Sequence, residues 1–362
     1  MRVAVDAMGG DHAPEAPVAA AVAVASRSPG PDEVTVLLVG PTDRVGPLLG
    51  AGGEKAVARG TLELVQATEV IGPGEPPVAA LRRKKDSTIV VGLGLVRDGK
   101  ADAFVSAGST GALMAGAFRD FGRIKGVPRP ALATVFPSLG GEGRGVLFLD
   151  LGANADARPE HLVAQAVMGS VYAEAVLGRS RPRVGLLSNG TEPNKGSELV
   201  KATHRLLAET PSLNFVGNIE GRDVFSGVVD VVVTDGFTGN VVTKVVEGVV
   251  EGLFGVMREE FARSLRYKAG ALLLRPAFRA VKHRLDWTEY GGAPFLGVAK
   301  ACVKCHGSSN ARAISSGIEV ARRFVAGRVI QTISDLLSTL AASVSEEQEA
   351  TPDREGAGPE LD

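Results

Sequence analysis

Residues 228–248 read VVDVVVTDGFTGNVVTKVVEG, and the pattern changes period in the middle. The first part is a run of β-branched residues, the composition of a strand buried on both faces. Beyond it, Val241, Val242, Val245, Val246 and Val249 recur at helical spacing. Between the two lies a glycine hinge, Thr234-Asp235-Gly236-Phe237-Thr238-Gly239-Asn240. Parallel strands need a long crossover, usually a helix, so strand–turn–helix is the unit of a parallel sheet. Asp, Thr and Asn at such a turn have two uses. They can cap the free N–H groups of the helix, or they can face an anion that the glycines let approach the backbone. A single turn fits the cap better; several such turns on one sheet edge favour a site.

The unit recurs on the N-terminal side. RVAVDAMGGDHAPEAPVAAAVAVA begins at Arg2, VTVLLVGPTDRVGPLL at Val34 and ADAFVSAGSTGALMAGAF at Ala101. GVLFLDLGANADARPEHLVAQAVMGSVYAEAVL begins at Gly145, with Pro159 suited to a first helical turn, and RVGLLSNGTEPNKGSELVKATHRLLAE at Arg183. Strands alternating with helices of this length predict an α/β fold on a mostly parallel sheet. Ligands of such sheets sit beyond the carboxyl ends of the strands, where all these polar turns are expected to gather on one edge.

The chain has 362 residues, 44% of them hydrophobic, enough for one large core or two intertwined ones. A net charge of -1 and 5% aromatic content argue against a nucleic-acid binder. Two cysteines make no disulfide framework. Asp6 and Asp11 interrupt the N-terminus where a signal peptide would be apolar, and no run of about 18 apolar residues occurs, which predicts a cytoplasmic protein. The expected organisation is an α/β domain over 1–340, a basic amphipathic helical insertion at about 258–290, and a disordered acidic tail over 341–362.

Familiar sites are missing. No G-x-G-x-x-G follows a strand, GTEPNKGS lacks P-loop spacing, and no G-x-S-x-G elbow occurs. The histidines show no helical metal spacing, so no metal and no cofactor is assigned. CVKCH, Cys302 to His306, matches a haem-attachment pattern, but such attachment requires export; buried small residues at a strand end are the better reading.

Taken together, VAVDAMGGDHAPEAPV, LRRKKDSTI, VSAGSTGALMAGA, RPALATVFP, LDLGANADARPEHL, NFVGNIEGRDVFSG, DVVVTDGFTGNVVTK and KCHGSSNARAI resemble the PlsX-type phosphate acyltransferases of bacterial phospholipid synthesis. The resemblance covers about residues 1–335. It implies a homodimer with a Rossmann-like three-layer α/β/α sandwich, related to the isocitrate and isopropylmalate dehydrogenases. It implies transfer of a long-chain fatty acyl group from acyl carrier protein to inorganic phosphate, giving the acyl phosphate used by a membrane glycerol-3-phosphate acyltransferase. SNGTEPNKG departs from the family loop at Asn189 and Thr191 but keeps Glu192, Lys195 and Gly196. Ser109 stands where Asn is usual, and Cys305 replaces a common Ser.

That chemistry needs little from the protein beyond positioning. Phosphate is largely ionised near pH 7, and a thiol leaving group with pKa near 8.5 departs without a strong acid. What remains is to hold phosphate in line and to meet the oxyanion with donors. Lys195 is the candidate phosphate grip, Asn240 the oxyanion donor and Asp235 an orienting group. Ser109, Thr110, Asn154, Thr238, Gly239 and His306 are candidate substrate contacts. Arg82, Arg83, Lys84 and Lys85 form either a solvated face or a docking patch for the acidic carrier protein. Residues 261–285, FARSLRYKAGALLLRPAFRAVKHRL, suit a helical hairpin broken near Pro276 that lays Leu272, Leu273, Leu274 and Phe278 on an anionic membrane surface. The competing readings are a dehydrogenase of the related fold, a short-chain phosphotransacetylase using coenzyme A, and a non-catalytic membrane-surface scaffold.

Overall fold

The structure is a computed structural model that describes residues 1–27, 30, 33–138, 140, 145–285 and 292–349. Its strands are β1 (Arg2–Asp6), β2 (Thr35–Gly40), β3 (Leu62–Gln66), β4 (Ala103–Ser106), β5 (Ala131–Phe136), β6 (Val146–Leu149), β7 (Arg183–Leu187), β8 (Asn214–Ile219), β9 (Val231–Val233), β10 (Ala293–Leu296) and β11 (Ala301–Lys304). Its helices are α1 (Glu15–Ala25), α2 (Thr42–Val45), α3 (Gly50–Ala58), α4 (Pro77–Arg83), α5 (Thr88–Arg97), α6 (Thr110–Phe121), α7 (Pro159–Ala175), α8 (Glu198–Ala208), α9 (Gly236–Ala262), α10 (Leu265–Leu285), α11 (Ala311–Ala326) and α12 (Val329–Glu349).

The strands form one 11-stranded sheet in the order β3-β2-β1-β4-β11-β10-β5-β6-β9-β7-β8. Strand residues alternate between its faces, as the pleat requires. Val3, Val5, Leu147 and Leu149 join the core under α1, α3, α7, α8, α11 and α12. Ala4 packs on the opposite face with α4, α5 and α6, and Val146 and Phe148 pack there beside Val242 of α9. The result is the expected three-layer sandwich, and most pairings are parallel.

The expectation of one common edge fails. β10 pairs antiparallel with β11 and with β5, and β5 pairs antiparallel with β6. Three reversals turn β6, β9, β7 and β8 against β1, β4 and β11. The turns after β1, β4 and β11 therefore leave one edge of the sheet, and those after β6, β7 and β9 leave the other. β5 and β10 are each followed by their antiparallel neighbours, β6 and β11, with no helix between, and they pair antiparallel with one another.

The hairpin also bends elsewhere than expected. α10 runs through Pro276 without ending, and the break falls at Arg263 and Ser264, where the Ser264 hydroxyl accepts the Tyr267 N–H at 3.1 Å. Across the bend the rings of Phe261 and Phe278 lie 5.1 Å apart, so packing retains a helix that lacks the proline's hydrogen bond. α12 extends to Glu349, past the expected start of the tail, and residues 350–362 lie outside those described.

Candidate active site

β6, β9 and β7 are neighbours, so their following turns sit side by side. β6 is followed by a buried aspartate. Asp150 Oδ1 accepts the N–H groups of Leu132 and Ala153, both at 3.1 Å, and Oδ2 accepts the Asn154 backbone N–H at 2.8 Å and its Nδ2 at 2.9 Å. Burial pushes this carboxyl above the ordinary aspartate value, and the four donors oppose that shift. Asn154 Nδ2 also donates to the Pro130 carbonyl at 2.7 Å, while the Asn154 carbonyl accepts the Gly236 N–H at 2.9 Å. Asn154 is thus a buried brace between the β6 turn and the start of α9, not a side chain open to substrate.

Asp235 caps α9: Oδ1 accepts the Thr238 N–H at 2.9 Å and Oδ2 the Thr238 hydroxyl at 2.7 Å. The Gly239 N–H donates to the Asp235 carbonyl at 2.9 Å. Asp235, Thr238 and Gly239 therefore spend their donors and acceptors on one another. The glycines serve a close approach: a Cβ at Gly239 would overlap the Asp150 carbonyl oxygen, and one at Gly236 would lie 2.7 Å from the Asn154 oxygen. Asn240 differs. It is exposed and lies across Gly152, a glycine at φ +114°.

Lys195 is exposed in the turn after β7. Its N–H donates to the Glu192 carbonyl at 3.0 Å, and that carbonyl also accepts Asn218 Nδ2 at 2.8 Å. The backbone is pinned while the ammonium faces solvent. This edge thus presents an amide on a helix's first turn and a lysine from the adjacent turn.

The other edge holds Ser109, Thr110 and His306. Ser109 caps α6, its hydroxyl accepting the Ala112 N–H at 3.4 Å, and Thr110 opens that helix exposed. His306 Nδ1 lies 2.8 Å from the Ser308 hydroxyl, and desolvation with the nearby Lys304 charge lowers its pKa. Beneath them is a buried set that the sequence reading missed. Asp6 accepts the Ser106 hydroxyl at 2.6 Å and the Met8 N–H at 3.0 Å, and burial raises its pKa. Lys304 donates to the Ala107 carbonyl at 3.2 Å and to the Cys305 carbonyl, and desolvation lowers its pKa. The available signal was that RVAVD and VLFLD both end an apolar run in Asp.

α9 spans the two edges. Its first turn carries Asn240, while Lys244 and Glu247, one and two turns further on, are close enough for the first to lower and the second to raise the His306 pKa. The sequence-predicted residues thus divide between two neighbouring clusters joined by one helix.

Cys302 and Cys305 are buried, as expected; burial drives the Cys302 thiol well up and pushes that of Cys305 to about 12. Among the described residues no group of three or more acidic, His or Cys side chains could hold a metal. In the basic run, Arg83 and Lys84 both pair with Glu75 at 2.6 Å, while Arg82 and Lys85 are exposed. On α10, Leu272, Leu273 and Leu274 are exposed, Leu273 by 82%, but Phe278 turns in towards Phe261 and leaves the expected membrane group. No helix among the described residues is long and apolar enough to cross a membrane.

A mixed sheet between helical layers, with polar turns about a central helix, places the chain in a fold shared with phosphotransacylases. It superposes on a phosphotransacetylase from Streptococcus pyogenes with TM-score 0.57 at 15% identity, covering 91% of this chain and 94% of that one. A branched-chain phosphotransacylase from Enterococcus faecalis gives 0.52 at 14% identity, covering 90% and 100%. At these identities the likeness is one of fold. Sequence is more specific: the model of the fatty acid synthesis protein family matches residues 1–332. The phosphate acyltransferase of Heliobacterium modesticaldum is 49% identical over 335 residues, 92% of this chain and 97% of the relative. That of Myxococcus xanthus is 47% identical over 344 residues, 94% and 95%. The chain belongs to this family of phosphate acyltransferases and is an enzyme of the acyltransferase class.

Proposed function

We propose that this chain transfers a long-chain fatty acyl group from acyl carrier protein to inorganic phosphate, releasing carrier thiol and an acyl phosphate for phospholipid synthesis. The observation that carries the reading is that two exposed groups, Asn240 near the start of α9 and Lys195 in the turn after the neighbouring strand β7, stand beside a cap in which Asp235 and Thr238 already satisfy each other. A phosphate oxygen attacks the thioester carbonyl, the C–O bond forms, and the tetrahedral oxyanion collapses with loss of thiolate. Lys195 holds phosphate as a mobile point charge, Asn240 Nδ2 donates to the oxyanion, and Asp235 acts only by fixing the helix start. Ser109, Thr110 and His306 meet the donor from across α9.

The partners follow from exposed surfaces. Arg82 and Lys85, with Arg83 and Lys84 released from Glu75, steer the acidic carrier protein. Val241, Leu253 and Val256 give α9 an exposed apolar face that suits a second copy of the chain, hence a homodimer. Leu272–Leu274 beside Arg266, Lys268, Arg275 and Arg279 suit peripheral binding to an anionic cytoplasmic membrane face, where a membrane glycerol-3-phosphate acyltransferase takes the product. The test supplies palmitoyl carrier protein, palmitoyl coenzyme A or acetyl coenzyme A with phosphate and follows thiol release. Phosphate-dependent release from the carrier protein is expected; preference for short-chain coenzyme A esters would favour a phosphotransacetylase.

A further inference from the structure

A cavity of about 1360 Å³ lies between the α9–α10 hairpin and the sheet end marked by Phe136. Small-molecule sites span roughly 300–1,000 Å³, so this one is large for its class. One face of α9, Val246, Val250, Phe254, Met257 and Phe261, forms a wall, and Phe278 of α10 faces it. Phe136 and Phe225, edge to face at 5.8 Å, form the floor. Polar groups gather at one end, where His306, Ser308 and Asn310 follow β11. Arg258 and Arg275 also line it.

We infer that this cavity holds the hydrocarbon chain of the acyl donor and product. The assignment rests on the acyl-transfer reading above and supplies the chain site which that reading lacks. A long apolar body with a polar mouth at His306, Ser308 and Asn310 fits an amphipathic ligand whose head lies at that end. Length agrees: the lined stretch of α9 from Val245 to Phe261 spans about 24 Å at 1.5 Å per residue. One leaflet's hydrocarbon is about 15 Å deep, half of a bilayer core. Direction agrees as well. Asn240 lies just over one helical turn before Val245, so a carbonyl meeting Asn240 leaves its tail running along α9 towards Phe261 and Phe278. Phe278 turns inward because it closes the far end.

Gly255 supplies the test. It lines the cavity in the middle of a helix, and a Cβ built there meets nothing within 4 Å. A larger side chain enters open space and, by removing a helix-interior glycine, does not weaken α9. In Gly255→Phe the ratio of palmitoyl to octanoyl transfer from carrier protein should fall tenfold or more, because a hydrophobic pocket discriminates by about tenfold or more per methylene. The wild-type protein should also enhance the fluorescence of cis-parinaric acid, and Gly255→Phe should abolish the enhancement. An unchanged chain-length ratio with unchanged probe binding would overturn the assignment while leaving acyl transfer intact. So would a variant that alters only the oligomeric state, since the cavity would then seat another protein copy. Absence of transfer at every chain length in the wild-type enzyme would instead remove the underlying function.

Discussion

Asp235 and Asn240 stand five positions apart, one bonded within the helix cap and the other exposed. Asp235 makes two hydrogen bonds to Thr238 and closes the first turn of α9. Asp235→Ala removes a cap, which costs about 1 kcal/mol of stability, or roughly 2 °C in melting temperature for a chain of this size. Asn240 is exposed, so truncating it should alter stability by less than about 0.5 kcal/mol. If its amide meets the oxyanion, Asn240→Ala loses about 2.7–4 kcal/mol of transition-state stabilisation, or roughly 10² to 10³ in turnover. The assay is acyl phosphate formation against phosphate concentration, run beside thermal melts of both variants. Lower melting with turnover kept to within a few-fold is expected for Asp235→Ala, and the reverse for Asn240→Ala. A folded Asn240→Ala enzyme with near-normal turnover would refute the reasoning, since the turn would then be structural throughout.

Lys195→Ala should raise the phosphate concentration needed for half-maximal rate and lower turnover, because charge and positioning are lost together; initial rates over a phosphate series check this. Gly239→Ala should destabilise the fold by about 3 kcal/mol or more, since the added methyl overlaps backbone that cannot swing aside; denaturant midpoints measure it. Replacing Cys302 and Cys305 with Ala should keep turnover within a few-fold, because buried thiols with raised pKa supply no thiolate; an acyl-cysteine trapped by mass spectrometry would contradict this. His161 Nδ1 accepts the Arg158 N–H at 3.2 Å, and desolvation lowers its pKa. The unfolded chain therefore protonates first, so the contribution of His161 is complete above about pH 6.5 and is lost as pH falls below it. Chemical melts from pH 7.5 to 5 should show a shallower loss in His161→Gln.

The fold was legible where local chemistry dictates it. Each strand–turn–helix unit announces itself by a change of period across a glycine turn, and the layers follow from the alternation of Val3, Ala4 and Val5. The split of the site between two edges was not legible. It depends on ALATVF and APFL pairing antiparallel inside a parallel sheet, and strands of this length look alike in either sense. Lys195 and Asn240 stood out because their neighbours belong to recognisable turns. Asp6, Asp150 and Lys304 were missed for the opposite reason: a charged residue ending an apolar run reads as the start of a loop, and only three-dimensional packing buries it among donors and carbonyls. Phe278 was placed on the membrane face by helical composition alone, although its ring packs on Phe261 of the preceding helix.

The central claim is that phosphate itself attacks the carrier-bound thioester. Palmitoyl carrier protein incubated with the enzyme and ¹⁸O-labelled phosphate tests it most directly. The account predicts an acyl phosphate whose bridging oxygen carries the label, formed together with an equal amount of free carrier thiol. Thiol release that yields unlabelled fatty acid, or that proceeds unchanged without phosphate, would contradict it.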